Sequence, residues 1–114
     1  MDILDQVQGV IEGIEQGKIL QTFEQFYDDE VVMTENGQHE RVGKSVNRAY
    51  ERAFVKGVEM HAAKAGVVLV DGNKAAIEWL FDMTPAGGSR LTQRQVALQT
   101  WEDGKIVRED FYHG

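Results

Sequence analysis

The spacing of the apolar residues changes once along this chain, and that change constrains the fold more than any other feature. In the first half, apolar residues recur every three or four positions, which is the period of an amphipathic helix. From about Val58 onward they recur at every second position, which is the period of a β-strand. Turn signals at Asp71-Gly72, residues 85–89 and residues 102–105 divide this second half into four strands joined by hairpins.

The first half predicts two helices joined by a tight corner. Asp2 caps the first helix and Gly17 ends it; its apolar stripe is Ile3, Leu4, Val7, Val10, Ile11 and Ile14. The second helix carries a face of Ile19, Leu20, Phe23, Phe26 and Tyr27. These spacings predict that both helices bury one side against the rest of the chain.

A short strand and a third helix follow. Residues 30–35 are rich in β-formers and end at Asn36-Gly37, a turn signal, whereas the polar residues 38–42 predict a loop. From Gly43 a helix presents a face of Val46, Ala49, Tyr50, Ala53 and Phe54. Helices gathered before an antiparallel meander predict an α+β fold, with the helices on one face of the sheet.

The strand at residues 90–101 is mixed in polarity, which indicates a sheet covered on both faces. One face would meet the helices. We expect a second copy of the chain to cover the other, in a homodimer formed through the outer sheet face.

Composition limits the class of partner. The 114 residues predict a single domain spanning 1–114, and the net charge of −7 disfavours nucleic acid or an anionic membrane as a binding partner. There is no cysteine, so disulfides and thiolate chemistry are excluded. The N-terminal residues lack the pattern of a signal peptide and no apolar run is long enough to span a bilayer, so we expect a cytoplasmic protein.

Several short sequence segments, and the order in which they occur, resemble the SnoaL-like branch of the nuclear-transport-factor-2-like superfamily. They are residues 26–33 (FYDDEVVM), 35–37 (ENG), Gly43-Lys44 opening a helix, 70–75 (VDGNKA) and 101–109 (WEDGKIVRE). The resemblance implies a cone-shaped, curved antiparallel sheet wrapped around the N-terminal helices, of the cystatin-like α+β barrel type. It also implies a pocket opening into the cone and dimers formed through the outer face of the sheet. The superfamily holds enzymes and non-enzymatic binding modules, so the fold does not decide the function.

The resemblance also allows one known activity to be examined. Ketosteroid-isomerase-like chemistry needs a tyrosine, a carboxylate base and a protonated aspartic acid. When the turns of this chain are aligned with those of the family, the tyrosine position falls at Val10, the base position at or near Thr34, and the aspartic acid position at Ala97. The set is incomplete, so this isomerase activity is not expected. If the protein is an enzyme, the resemblance implies a cofactor-independent isomerase, cyclase or lyase.

Three residues are candidates for acid–base catalysis. When the turns of this chain are aligned with those of the family, Glu109 falls among apolar side chains on the inner face, where burial would raise the pKa of its carboxyl. Alternatively, Glu109 pairs with Arg94, Arg108 or another cation, or it meets water at the rim of the cone. Glu35 either points inward at the mouth or begins the turn in solvent. His61 is either a proton relay or a structural histidine, depending on whether its long strand contains a bulge.

The expected ligand-binding wall is aromatic and contains a thioether and neutral amides: Trp79, Phe81, Met83, Gln95, Gln99, Trp101 and Phe111. No close-spaced metal-ligand pair exists, so neither a metal nor a cofactor is expected. The sequence therefore predicts a pocket for a small hydrophobic molecule. The leading hypothesis is that this molecule contains a carbonyl group and that the protein acts on it by acid–base catalysis. The alternative is a non-catalytic module for ligand binding, peptide binding or dimerisation.

Overall fold

The computed structural model describes residues 2–114, in which three helices and six strands follow one another along the chain. They are α1 (Leu4–Glu15), α2 (Ile19–Phe26), β1 (Tyr27–Glu35), β2 (Gln38–Val42), α3 (Lys44–Gly57), β3 (Val58–Asp71), β4 (Lys74–Pro85), β5 (Leu91–Glu102) and β6 (Lys105–His113). The predicted α+β class is confirmed, as are the four long strands of the second half.

The six strands form one curved, open sheet in the order β2-β1-β6-β5-β4-β3. Every neighbouring pair is antiparallel except β1 and β6, which run parallel, with Met33 opposite Glu109. The expectation of a purely antiparallel sheet is therefore wrong at this one pair. The last strand returns beside the first, and this pairing brings residues from opposite ends of the sequence together.

The prediction of a loop at residues 38–42 is also wrong, because this segment is strand β2. It pairs with β1 across the Asn36-Gly37 turn, whose two residues have φ values of 53° and 72°. Such positive values suit a tight hairpin between twisted strands. The segment is almost wholly exposed at the edge of the sheet, so its polar side chains carry no apolar alternation that could identify it as a strand.

The two N-terminal helices pack across the concave face of the sheet. The Asp2 carboxylate accepts a hydrogen bond of 2.9 Å from the amide of Leu4 at the start of α1, and Val7 and Val10 are fully buried. A Cβ at Gly13 would lie 2.0 Å from Oγ1 of Thr22, so glycine is what permits α1 and α2 to approach closely at their corner. Their junction forms the closed end of the core.

Helix α3 turns a different face inward from the one that its apolar spacing predicts. Val46, Ala49, Tyr50 and Ala53 are exposed. The inward stripe consists of Asn47 and Glu51 together with Phe54, the one member of the predicted face that is not exposed. Asn47 is fully buried, and its amide nitrogen donates to the carbonyl oxygens of Val31, Arg41 and Gly43, while its Oδ1 accepts from Nε of Arg41. A polar anchor thus fixes α3 against β1 and β2.

The two faces of the sheet differ sharply in burial. The inner face carries the core residues Ile77, Trp79, Ala97, Trp101 and Ile106. The outer face leaves a group of apolar side chains exposed: Leu69, Leu80, Val96, Leu98 and Tyr112. No helix in residues 2–114 combines the length and hydropathy that a membrane-spanning segment requires.

Candidate active site

A cavity of about 110 Å³ lies between the helices and the concave face of the sheet. Its walls are mainly apolar, with six aromatic rings and a small set of polar groups, as in most ligand sites. The aromatic and polar side chains of the lining, together with one methionine, include Phe23, Tyr27, Glu35, Glu51, Phe54, Trp79, Phe81, Met83, Gln93, Gln95, Glu109 and Phe111.

Glu109 lies in the wall of this cavity and has no cationic partner among residues 2–114. Its side chain is 2% exposed. Arg108 pairs instead with Glu40 and Asp110, at 3.5 and 3.1 Å, and Arg94 is exposed. The inward setting predicted for Glu109 is thus observed, and pairing with either arginine is excluded.

Both carboxylate oxygens of Glu109 accept hydrogen bonds from buried neutral donors. The Tyr27 hydroxyl donates to Oε1, and Nε2 of Gln99 donates to Oε2 at 2.7 Å. Nε1 of Trp101 in turn donates to Oε1 of Gln99 at 3.0 Å, which orients the amide. A buried hydrogen-bonded chain therefore runs Trp101–Gln99–Glu109–Tyr27.

Burial raises the pKa of Glu109 to about 7. The donors Tyr27 and Gln99 oppose this rise because they stabilise the charged form, while the nearby carboxyls of Glu51 and Glu35 add to it. Burial likewise raises the pKa of Tyr27 well above its ordinary value. Glu109 is thus able to change protonation state near neutral pH.

Glu51 is a second carboxyl of this kind, which the sequence analysis did not single out. It projects from α3 into the cavity, and burial raises its pKa to about 7, opposed by the charge of Arg41 and reinforced by that of Glu35. Its position between Asn47 and Phe54 on one face of the helix could have identified it in the sequence. The apolar residues on the opposite face predicted that the opposite face is buried, so Glu51 was not selected.

Glu35 points into the cavity from the end of β1, as one of its two predicted settings required. Its Oε1 accepts a hydrogen bond of 3.3 Å from the Tyr50 hydroxyl. Its Oε2 is buried without a hydrogen-bond partner in the part of the chain that the structure describes, and Nε2 of His113 lies 3.8 Å away.

His61 does not belong to this cavity. Strand β3 has an irregularity between Met60 and Ala62, so that Met60 and Ala63 face inward while His61 lies outside. Its Nε2 lies 2.8 Å from Oγ1 of Thr84, and it borders a separate depression beside the α1–α2 corner. The bulge anticipated for this strand is present, and it places His61 away from the other two catalytic candidates, Glu35 and Glu109.

The predicted ligand wall is only partly assembled. Trp79, Phe81, Met83, Gln95 and Phe111 line the cavity, and the Trp79 and Phe81 rings stack with centroids 5.6 Å apart. Trp101 and Gln99 lie behind this wall: both are 1% exposed, and Trp101 packs edge-on against Phe26 at 6.2 Å. A flat ligand held between Trp79 and Trp101 is therefore excluded, because Trp101 is core.

The positions registered against the isomerase set carry no catalytic group. Val10 and Ala97 are fully buried core residues, and Oγ1 of Thr34 donates to Oδ1 of Asp110 at 2.6 Å. Within residues 2–114, no group of three or more His, Asp or Glu side chains is arranged to hold a metal ion.

Solved structures with this architecture come from several bacteria. A Mesorhizobium loti protein provisionally assigned as a SnoaL-like polyketide cyclase is 28% identical, with a TM-score of 0.89 over 98% of this chain and 99% of its own. A protein with a cystatin-like fold from Xanthomonas campestris is 23% identical, with a TM-score of 0.83 over 100% and 92% of the two chains. A nuclear-transport-factor-2-like protein of Burkholderia pseudomallei is 15% identical, with a TM-score of 0.84 over 97% and 89%.

No curated protein matches the sequence. The family model of the SnoaL-like domain, however, matches residues 7–109, which extend from within α1 to within β6 and include the cavity residues Glu35, Glu51 and Glu109. This chain therefore belongs to the SnoaL-like domain family.

Proposed function

We propose that the protein binds a small hydrophobic carbonyl compound in this cavity and transfers a proton at the carbon beside the carbonyl group. The observation that carries the proposal is the buried Tyr27–Glu109 pair, in which a carboxyl with a pKa of about 7 meets a phenol in an apolar wall. A second carboxyl with a pKa of about 7, Glu51, lines the same cavity.

Glu109 and Tyr27 would act on the carbonyl oxygen. When Glu109 is protonated, it can donate to the phenolic oxygen, which frees the Tyr27 hydroxyl to donate to the ligand. A hydrogen bond from this hydroxyl stabilises the negative charge that develops on the oxygen when a neighbouring carbon loses a proton. The aromatic side chains of the wall lower the local dielectric constant, which strengthens such an interaction.

Glu51, when ionised, would be the base. A carboxylate with a pKa near the working pH combines a useful ionised fraction with useful basicity. The proton moves from the carbon to Glu51, and the electron pair of the C–H bond becomes the enolate. If the enolate is conjugated with a C=C bond, return of the proton from Glu51 to the far carbon of the conjugated system gives isomerisation. If the enolate carbon attacks a second carbonyl of the same molecule, the C=O π bond breaks, and the proton passes from Glu51 to the new alkoxide oxygen, which gives cyclisation. The provisional assignment of the Mesorhizobium loti protein as a polyketide cyclase is compatible with the second outcome.

Hydrogen–deuterium exchange tests the proposal without knowledge of the natural substrate. Cyclohexanone in D₂O would be followed by NMR with wild-type protein, Glu51→Gln, Glu109→Gln and Tyr27→Phe. We expect the protein to accelerate exchange at the carbons beside the carbonyl, and Glu51→Gln to lower the catalysed rate by about a hundredfold or more. Exchange no faster than in buffer, or variants equal to wild type, would refute it.

Glu30→Gln is the matched control, because Glu30 is an exposed glutamate outside the cavity and its replacement makes the same change in net charge. This variant should exchange deuterium at the wild-type rate. Circular dichroism of all four variants would establish that they are folded.

Non-catalytic ligand binding is the second candidate. It is favoured by the absence of a catalytic side chain at Val10 and Ala97, the two positions where the resemblance would require one. Binding of cyclohexanone without accelerated exchange would select this function.

A further inference from the structure

We infer that the ligand of this cavity carries a positively charged nitrogen beside its hydrophobic part. The inference deepens the proposed function and rests on it, since it names the chemical class of the molecule that the cavity accepts. Its basis is the charge and hydrogen bonding of the cavity carboxyls, of which the proposed proton transfer uses Glu51 and Glu109 but not Glu35.

The first observation is an unpartnered acceptor. Within residues 2–114, Oε2 of Glu35 is buried and makes no hydrogen bond, although it lines the cavity from the end of β1. The nearest nitrogen of a basic side chain, Nε2 of His113, is 3.8 Å away, beyond hydrogen-bond distance. A buried acceptor without a donor costs free energy, and a ligand that supplies an N–H group would remove that cost.

The second observation is the balance of charge. Glu35, Glu51 and Glu109 all line the cavity, and its lining within residues 2–114 includes no lysine, arginine or histidine. Glu51, like Glu35, projects into this space from a separate element, and none of the hydrogen bonds of residues 2–114 involves its carboxylate. The charged groups that the described residues present to a ligand are therefore carboxyls, beside the neutral amides of Gln93 and Gln95.

One cation lies close behind this surface. The Arg41 guanidinium stacks on the Tyr50 ring at 3.7 Å from its centroid, and its Nε donates to Asn47. Its charge lowers the pKa of Glu51 and so offsets part of the negative charge. Since Arg41 is a single charge facing three carboxyls and is held outside the lining, the cavity retains a preference for cations over anions.

The third observation is the nature of the apolar wall. Phe23, Phe54, Trp79, Phe81 and Phe111 surround the space, and aromatic faces attract an ammonium group as well as hydrocarbon. The volume of about 110 Å³ suits a molecule about as large as one ring. A small hydrophobic amine, with its ammonium group at Glu35 and its hydrocarbon part against Trp79 and Phe81, satisfies both kinds of surface.

Three probes of similar size separate charge from hydrophobicity: benzylamine, benzyl alcohol and benzoate. Their dissociation constants would be measured by calorimetry at about pH 8, above the ordinary pKa of histidine. We expect benzylamine to bind at least about tenfold more tightly than benzyl alcohol, and benzoate to bind most weakly.

The variants Glu35→Gln and Glu51→Gln keep the shape of the cavity and remove one charge each. Both should weaken benzylamine binding by about fivefold or more while leaving benzyl alcohol binding within about twofold of wild type. Benzyl alcohol binding reports that each variant is folded, and Glu30→Gln should bind all three probes like the wild type.

The outcomes distinguish this inference from the proposed function. If benzyl alcohol or benzoate binds as tightly as benzylamine, or if the preference for benzylamine survives in both glutamine variants, the ligand is not a cation and the inference is overturned while a hydrophobic ligand stands. If none of the three probes binds, both the inference and the proposed ligand site are overturned.

Discussion

The hydroxyl of Tyr27 donates a hydrogen bond to Oε1 of Glu109 across 82 positions of sequence. The parallel pairing of β1 with β6 makes this contact, because it returns the last strand beside the first. The bond is buried, and it joins the phenol at the start of β1 to the carboxyl that faces the cavity. It is the relationship on which the proposed chemistry depends.

Replacement of Tyr27 by phenylalanine should raise the pKa of Glu109 further above its value of about 7. The hydroxyl stabilises the ionised carboxylate, so its loss favours the protonated form. We expect a loss of stability of about 1–3 kcal/mol, since a buried acceptor loses its donor. NMR titration of the Glu109 carboxyl carbon measures the shift, and an unchanged or lowered midpoint would show that the hydrogen bond does not form in solution.

Glu109 should make the protein less stable as pH rises through neutrality. The pKa of Glu109 in the folded protein, about 7, lies above the ordinary value of 4.5, so its contribution to stability is fully present below about pH 4.5 and is lost as pH rises through about 7. Glu109→Gln removes this dependence. The decline in unfolding free energy between those pH values should shrink by up to about 3 kcal/mol in the variant.

Urea unfolding at a series of pH values measures this difference, and Glu30→Gln serves as the control because its carboxyl is exposed. Glu51, whose pKa is also raised to about 7, leaves a residual decline in the variant. Parallel pH profiles for wild type and Glu109→Gln would contradict the buried setting of the carboxyl.

Asn47→Ala should be strongly destabilising. The change leaves carbonyl oxygens of Val31, Arg41 and Gly43 without their side-chain donor and removes an acceptor from Arg41. We expect a loss of about 2–4 kcal/mol, or a fall in Tm of about 10–20 °C. The control is Ser45→Ala on the exposed side of the same helix, which should unfold near the wild-type temperature; a similar Tm for both variants would contradict the anchoring role of Asn47.

We propose that two copies of the chain associate through the outer face of the sheet, where Val96 and Leu98 are 38% and 37% exposed and Leu80 and Tyr112 are still more so. Leu98→Glu should convert a dimer into a monomer in sedimentation experiments, because a buried unpaired carboxylate is costly. Val46→Glu, on the exposed face of α3, should leave the dimer intact. A wild-type monomer at micromolar concentration, or dissociation by Val46→Glu alone, would rule out this interface.

The sequence predicted the α+β fold, and it predicted the inner face of β4 because the alternation of that strand is nearly regular. Trp79, Phe81 and Met83 face inward as their spacing requires, whereas the inner position of Glu109 and Phe111 followed from the family resemblance. Turn chemistry identified the hairpins that join β3, β4, β5 and β6, but neither the pairing of β2 with β1 nor the parallel pairing of β1 with β6. The alternation and the turns depend on local chemistry and are therefore readable from one sequence.

The partners of Glu109 could not be predicted in the same way. Tyr27 lies four residues after Phe23, in phase with the second helix, and only the structure shows that the helix ends at Phe26. In α3 most of the predicted apolar face is exposed, whereas Asn47 is buried and Glu51 faces the cavity. Hydrophobic spacing fails there because Asn47 satisfies backbone carbonyls and Glu51 faces a cavity instead of packed core.

The proposed chemistry requires Glu109 to be a desolvated carboxyl in the wall of the cavity that exchanges a proton near neutral pH. NMR titration of protein labelled with ¹³C at the glutamate carboxyls measures this, with Glu109→Gln and Glu51→Gln used to assign the signals. We predict a midpoint of about 7 for Glu109. A midpoint near the ordinary value of 4.5 would contradict it.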